Sequence, residues 1–261
     1  MVWPLTVVAV MLAASNLLLQ YLTFIAQVHF RGLASLEAMF SLDREANLPS
    51  WFSSILLLTI AALCWTIGGD VRARRERRGR HWQLLAVVLT VLSLDEMVSF
   101  HERLNDPLKA RLGTSGALEW AWVLVAIPAV LVLALLYLPW LRNLPRGTRY
   151  GLVLAGCVYI GGALVLEMIG AYLFSHGGGL DYLPYQIVAT CEESMEMAGL
   201  IIAIGVLSKH LTLIAPRESG TLRRVIRMDG HAPPTDSVRT INGGVDRDID
   251  RDIEIGSRSI G

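Results

Sequence analysis

The sequence predicts an all-α integral membrane protein: a six-transmembrane-helix bundle with both termini cytoplasmic and a disordered C-terminal tail. Three observations carry that prediction. The 261 residues are 53% hydrophobic, with a mean hydropathy of +0.48. Their apolar residues fall into runs of about 20, long enough to cross a hydrocarbon core of roughly 30 Å. Arginine is concentrated in alternate loops, the asymmetry that orients membrane proteins.

The six spans run from Leu5 to Gln27, Trp51 to Gly68, Trp82 to Arg103, Glu119 to Leu141, Tyr150 to Phe174 and Gln186 to Leu207. The opening "MVWPL" lacks the positive region of a secretory signal, so the first span is expected to be retained. "VRARRERRGR", after the second span, carries six arginines, and "LRNLPRGTR", after the fourth, carries three. The alternate loops hold Arg31 and Arg44, then Arg103, Lys109 and Arg111, then no positive charge in "SHGGGLDYLPY". Lys and Arg mark the cytoplasmic face, so both termini are expected there. The arginine-rich loop suits anionic lipid headgroups and is not read as a nucleic-acid site.

Residues 1–208 form the expected transmembrane domain and 209–261 the tail. "DRDIDRDIEI" and its neighbours lack the apolar area to offset the entropy of ordering. The three cysteines, Cys64, Cys157 and Cys191, all fall in spans without paired spacing, so they read as small apolar residues. Cys191 stands apart by adjoining Glu192.

Against this apolar background, "LSLDEMVSFHERL" in the third span delivers Asp95, Glu96, His101 and Glu102. Counting about 1.5 Å of rise per residue from the cytoplasmic end puts Asp95 about 20 Å and Glu102 about 30 Å deep. Glu167 of the fifth span reaches about 25 Å. Glu192, Glu193 and Glu196 of the sixth lie about 9 to 15 Å below the outer surface. Three spans with different directions thus bring their acids to the outer half of the bilayer.

At 100° per residue, Asp95, Ser99 and Glu102 form one stripe, while Glu96 points away towards Arg103 as a pairing partner. Glu192, Glu193 and Glu196 share a face. Glu167 shares one with Gly156, Ala163, Gly170 and Ala171, and such small residues let helices approach closely. Asn16, Gln20, Thr23 and Gln27 make an inward polar stripe on the first span. Glu119 marks the outer end of the fourth.

An ionised carboxylate at mid-membrane costs about 2.5 to 3.5 kcal/mol on insertion scales. Seven acids cannot all pair with His101 and Arg103. They call for protons, water or bound cations. The plain alternative ends the third and sixth helices early and leaves the acids in a solvated mouth. That would leave only about 20 Å of apolar helix from Trp82 to Leu94.

Carboxylates with an imidazole suit divalent Fe, Mn or Zn. Glu167, Glu193, Glu196, His101 and Glu192 are the expected metal ligands. His101, Glu102 and Asp95 are the expected catalytic groups, with Asp95 and Glu102 ligating or fixing the imidazole. The Glu193-x-x-Glu196 spacing resembles the di-metal carboxylate bundles, with Glu where that family has His. "SFH" at Ser99–His101 resembles the Ser and His of the alkaline ceramidases, although Glu192-x-x-x-Glu196 stands where their late helix carries a His pair. These resemblances imply metal-activated water or dioxygen acting on a lipid-like substrate.

The expectation is therefore a multi-pass cell-membrane protein with a divalent metal site. It would be a metal-dependent oxidoreductase or hydrolase taking a lipid-like or small-molecule substrate from the outer leaflet. The alternative is a proton- or cation-coupled transporter using the same carboxylates. Carboxylates confined to one half of the bilayer, without repeat symmetry, favour the first.

Overall fold

The computed structural model describes residues 2–76 and 78–214, and every regular element among them is helical. The expected tail, 209–261, begins too early, because the last helix continues to Ile214; residues 215–261 lie outside the described residues. Among the described residues, six helices are long and apolar enough to cross a membrane: Trp3–Ile25, Leu48–Ala73, Gly79–Val98, Val123–Arg142, Arg146–Gly177 and Leu183–Ile214.

α1 (Trp3–Gln20) continues through a π turn, Tyr21–Ile25. Its polar stripe is used in pieces. Asn16 Nδ2 donates to Thr190 Oγ1 at 2.8 Å and Gln20 Nε2 to the same oxygen at 3.0 Å, tying α1 to the last helix. Thr23 turns to Glu37 on the short helix α2 (Leu33–Phe40). Gln27 lies beyond the helix at φ 49°, exposed, and leaves the stripe.

α3 (Leu48–Ala73) begins three residues before the expected Trp51. Its capping box explains why. Ser50 N–H donates to Asn47 Oδ1 at 3.2 Å, and Asn47 N–H donates to Ser50 Oγ at 2.9 Å. α3 is the core helix, with Leu56, Leu57, Cys64 and Ile67 almost wholly enclosed. It packs tightly on α4 (Gly79–Val98). Ser54 and Ser93 exchange hydrogen bonds, each hydroxyl donating to the other's carbonyl at 3.0 Å. Small polar residues of this kind join helices where no water competes. Only Cys64 is buried, whereas Cys157 and Cys191 sit on the outer surface.

The third span is not continuous to Arg103. α4 stops at Val98, Ser99 takes the left-handed conformation (φ 56°, ψ 46°), and α5 (Phe100–Leu112) starts afresh. The expected stripe of Asp95, Ser99 and Glu102 is therefore not a stripe. α6 (Val123–Arg142) also starts later than expected, leaving Glu119 in the preceding turn. There it pairs with Lys109 and accepts from Ser175 Oγ at 2.9 Å. The Lys109 hydrogen bond holds the Glu119 carboxyl below its ordinary range.

The fifth span is α7 (Arg146–Ile160), a π turn over Gly161–Leu166, and α8 (Glu167–Gly177). A π turn widens the helix and shifts the faces beyond it. Gly162, inside that turn, rather than the expected Gly156, makes the close approach. A Cβ there would lie 2.8 Å from the Glu192 carbonyl, while one at Gly156 would meet nothing within 4 Å. α9 (Leu183–Ile214) crosses α1, α3 and α7 and runs beyond the expected Leu207.

Candidate functional site

One cavity of about 980 Å³ gathers the acids. It lies where α4 ends, α5, α6 and α9 begin, and the π turn hands over to α8. Asp95, Glu96, His101, Glu102, Glu167, Glu192, Glu193 and Glu196 all line it.

The left-handed turn at Ser99 builds the centre. It folds His101 back over the end of α4, so that its backbone N–H donates to Asp95 Oδ1 at 3.0 Å and its Nδ1 lies 2.8 Å from Asp95 Oδ2. A carboxylate accepts only, so Nδ1 carries the proton. Nε2 then faces the other way, 3.5 Å from Glu45 Oε1. Ligand atoms of Glu45, His101 and Glu102 all lie within 4.8 Å of one another.

Glu45 was not among the expected site residues. It arrives on the loop between α2 and α3, together with Asp43. Two contacts pull that loop inward: Leu42 N–H donates to Asn16 Oδ1 at 3.4 Å, and the Tyr185 hydroxyl donates to Asp43 Oδ1 at 2.6 Å. A charged pair at Asp43 and Glu45, just ahead of an Asn-Leu-Pro-Ser helix start, was the available signal.

Electrostatics follow from enclosure. Burial raises the Asp43 carboxyl to about 6, against the lowering effect of its Tyr185 hydrogen bond. Burial raises Glu45 to about 8, with His101 opposing it and the neighbouring acids adding to it. Burial alone would lower His101, but the Asp95 hydrogen bond and the surrounding carboxylates more than reverse this and lift it to about 9. At neutral pH the imidazole is therefore doubly protonated, with the Nε2 proton directed at Glu45.

The deeper acids form a second group. Trp122 links the two: its ring packs against His101 with centroids 4.7 Å apart, and its Nε1–H donates to Glu167 Oε1 at 2.9 Å. Glu167, Glu192, Glu193 and Glu196 line the cavity together with Glu96 and Tyr159. Carboxyls gathered in one enclosure call for protons or a cation among them. Glu96 thus belongs to the cavity wall and not to Arg103, whose guanidinium lies over the Phe100 ring, 6.0 Å from its centroid.

Of the expected metal ligands, His101 stands at the cavity mouth with Glu45 and Glu102. Glu167, Glu192, Glu193 and Glu196 stand deeper, behind Trp122. The expected catalytic pair Asp95 and His101 is in direct contact, and Glu102 adjoins it across the imidazole.

Residues 4–211 match a family model described as a domain of unknown function (DUF8692), and the chain belongs to that family. No curated protein and no solved structure matches the chain.

Proposed function

We propose that this member of the DUF8692 family is a multi-pass cell-membrane protein that binds a divalent Fe, Mn or Zn ion at His101, Glu45 and Glu102. On this reading it is a metal-dependent oxidoreductase or hydrolase acting on a lipid-like substrate from the outer leaflet, with both termini cytoplasmic. The observation that carries the metal is the orientation of His101. A ligating histidine commonly donates its remote N–H to a carboxylate, which fixes the tautomer and strengthens the nitrogen lone pair. Asp95 stands in that relation to Nδ1, and Nε2 is turned towards two further carboxyls. In the metal-free protein the Nε2 proton supplies the positive charge that a cation would supply. A bound ion would act as a Lewis acid towards substrate or water.

The test is elemental mass spectrometry of detergent-purified protein. Wild type is compared with Glu45→Gln/Glu102→Gln and with Glu193→Gln/Glu196→Gln. Near-stoichiometric metal lost from the first double variant is the expected result. Loss from the second variant alone would move the metal to the deeper group. No metal in wild type, even after loading with all three ions, would end the metalloenzyme reading.

The second reading is a proton- or cation-coupled transporter. The gathering of Glu167, Glu192, Glu193 and Glu196 on one cavity wall favours it, because carboxyls within a helical bundle are suited to relaying protons or holding a coupling cation.

A further inference from the structure

α6 is tied to the bundle by polar and aromatic contacts near its two ends. Near its C-terminal end Tyr137 donates to the His81 carbonyl at 2.9 Å, and Trp140 meets Trp82 edge-on with centroids 4.7 Å apart. Near its N-terminal end the backbone N–H of Trp122 donates to Asn105 at 3.0 Å and the indole to Glu167. Between these ties the cavity continues as an apolar cleft. Val88 and Leu92 of α4 form one wall, and Ala126, Ala129 and Leu133 of α6 the other. Ala129 is exposed on the bundle surface while lining the cleft, so the cleft opens sideways. From Ala126 to Leu133 the apolar wall rises about 10 Å along the helix. Beyond it lie the packed rings of Tyr137, Trp140 and Trp82.

We propose that this cleft takes the hydrocarbon chain of a single-chain lipid amine, entering from the bilayer between α4 and α6 with its ammonium head at the carboxyl-rich end. Charge complementarity selects the head. Ten carboxyl side chains line the cavity against Arg44 and His101, so an anionic head meets repulsion and an ammonium finds partners. The shape selects one chain. The apolar part is a slot between two helices, walled by Ala126, Ala129 and Leu133 on one side and by Val88 and Leu92 on the other. This rests on the lipid-substrate reading above, naming its substrate class, but does not depend on the metal.

The experiment is photo-crosslinking in detergent with a long-chain alkylamine carrying a diazirine at mid-chain, followed by peptide mapping. Adducts are expected on the cleft-lining Val88, Leu92, Ala126, Ala129 and Leu133, displaced by unlabelled alkylamine and not by alkyl sulfate of equal length. Filling the slot with Ala126→Phe/Ala129→Phe, or independently with Leu92→Trp, should lower the adduct yield about tenfold, the effect of roughly two methylenes of lost burial. Folding of both variants is checked by circular dichroism and gel filtration. Adducts spread over outward residues such as Val132, Leu135 and Leu136, equal in all variants or equally displaced by sulfate, would overturn the proposal. Metal content of the same samples separates the two readings. Adducts without metal leave the slot standing and remove the metal, and metal without adducts does the reverse.

Discussion

His101 is joined twice to Asp95: Nδ1 lies 2.8 Å from one carboxylate oxygen, and the backbone N–H of the same histidine donates to the other at 3.0 Å. The double contact fixes both the position of the residue and the tautomer of its ring. Asp95→Asn preserves shape but presents an amide N–H to Nδ1, forcing the proton to Nε2, where it blocks a metal. Metal affinity should fall about 10- to 100-fold, the usual cost of losing such a supporting carboxylate. Competition against a fluorescent chelator measures it. An unchanged affinity would remove Asp95 from the site.

The turn that makes this contact possible strains its own residue. Ser99 holds φ 56°, a region that costs L-residues roughly 1–2 kcal/mol. Ser99→Gly should therefore leave stability unchanged or raise it by up to about 1 kcal/mol. Ser99→Val, with a branched β-carbon, should lower it by more than that and release His101. Thermal melts in one detergent decide the matter. A stabilising valine would mean that the turn is not formed.

Proton competition sets the pH dependence of metal binding. His101 is raised to about 9 and Glu45 to about 8, so both carry protons at pH 7 that a cation must displace. Apparent affinity should accordingly rise with pH, by about tenfold per unit for each proton released, and level off above about 9. In the metal-free protein the sign reverses for His101. Its raised value stabilises the fold below the ordinary histidine range, and that contribution is lost as pH climbs through about 9. Calorimetric titration at several pH values checks the first statement, and melting of metal-free protein checks the second. A flat affinity profile between pH 6 and 9 would contradict direct ligation by these groups.

Gly199 lets α9 press against α7. An added Cβ would lie 2.8 Å from both the Ala155 carbonyl oxygen and the Tyr159 nitrogen. These are backbone atoms that cannot rotate away, so Gly199→Ala should destabilise the protein by about 1–3 kcal/mol. Because Tyr159 lines the cavity, the same change should also disturb the deeper acids. Gly147→Ala, with nothing within 4 Å of its added Cβ, is the control and should melt like wild type.

Some of this protein could be read from the chain alone because the governing physics is local. A run of apolar residues long enough to cross a bilayer must satisfy its backbone within itself, so six such runs become six helices. Helical periodicity likewise places Glu192, Glu193 and Glu196 on neighbouring positions of one helix. The finer features depend on contacts between distant segments. Ser99 carries no mark of a left-handed residue, and Asp95 captures His101 only once the chain has turned there. Asp43 and Glu45 read as ordinary loop charges until Asn16 and Tyr185, far away in sequence, draw the loop inward. The π turn before Glu167 re-aims that carboxylate by a widening of the helix that no side-chain period announces. Local sequence therefore determined how many stretches form helices long and apolar enough to cross a membrane, and which acids share one helix. Tertiary packing decided which acids face His101, because that depends on where the helices break and which loop folds back over them.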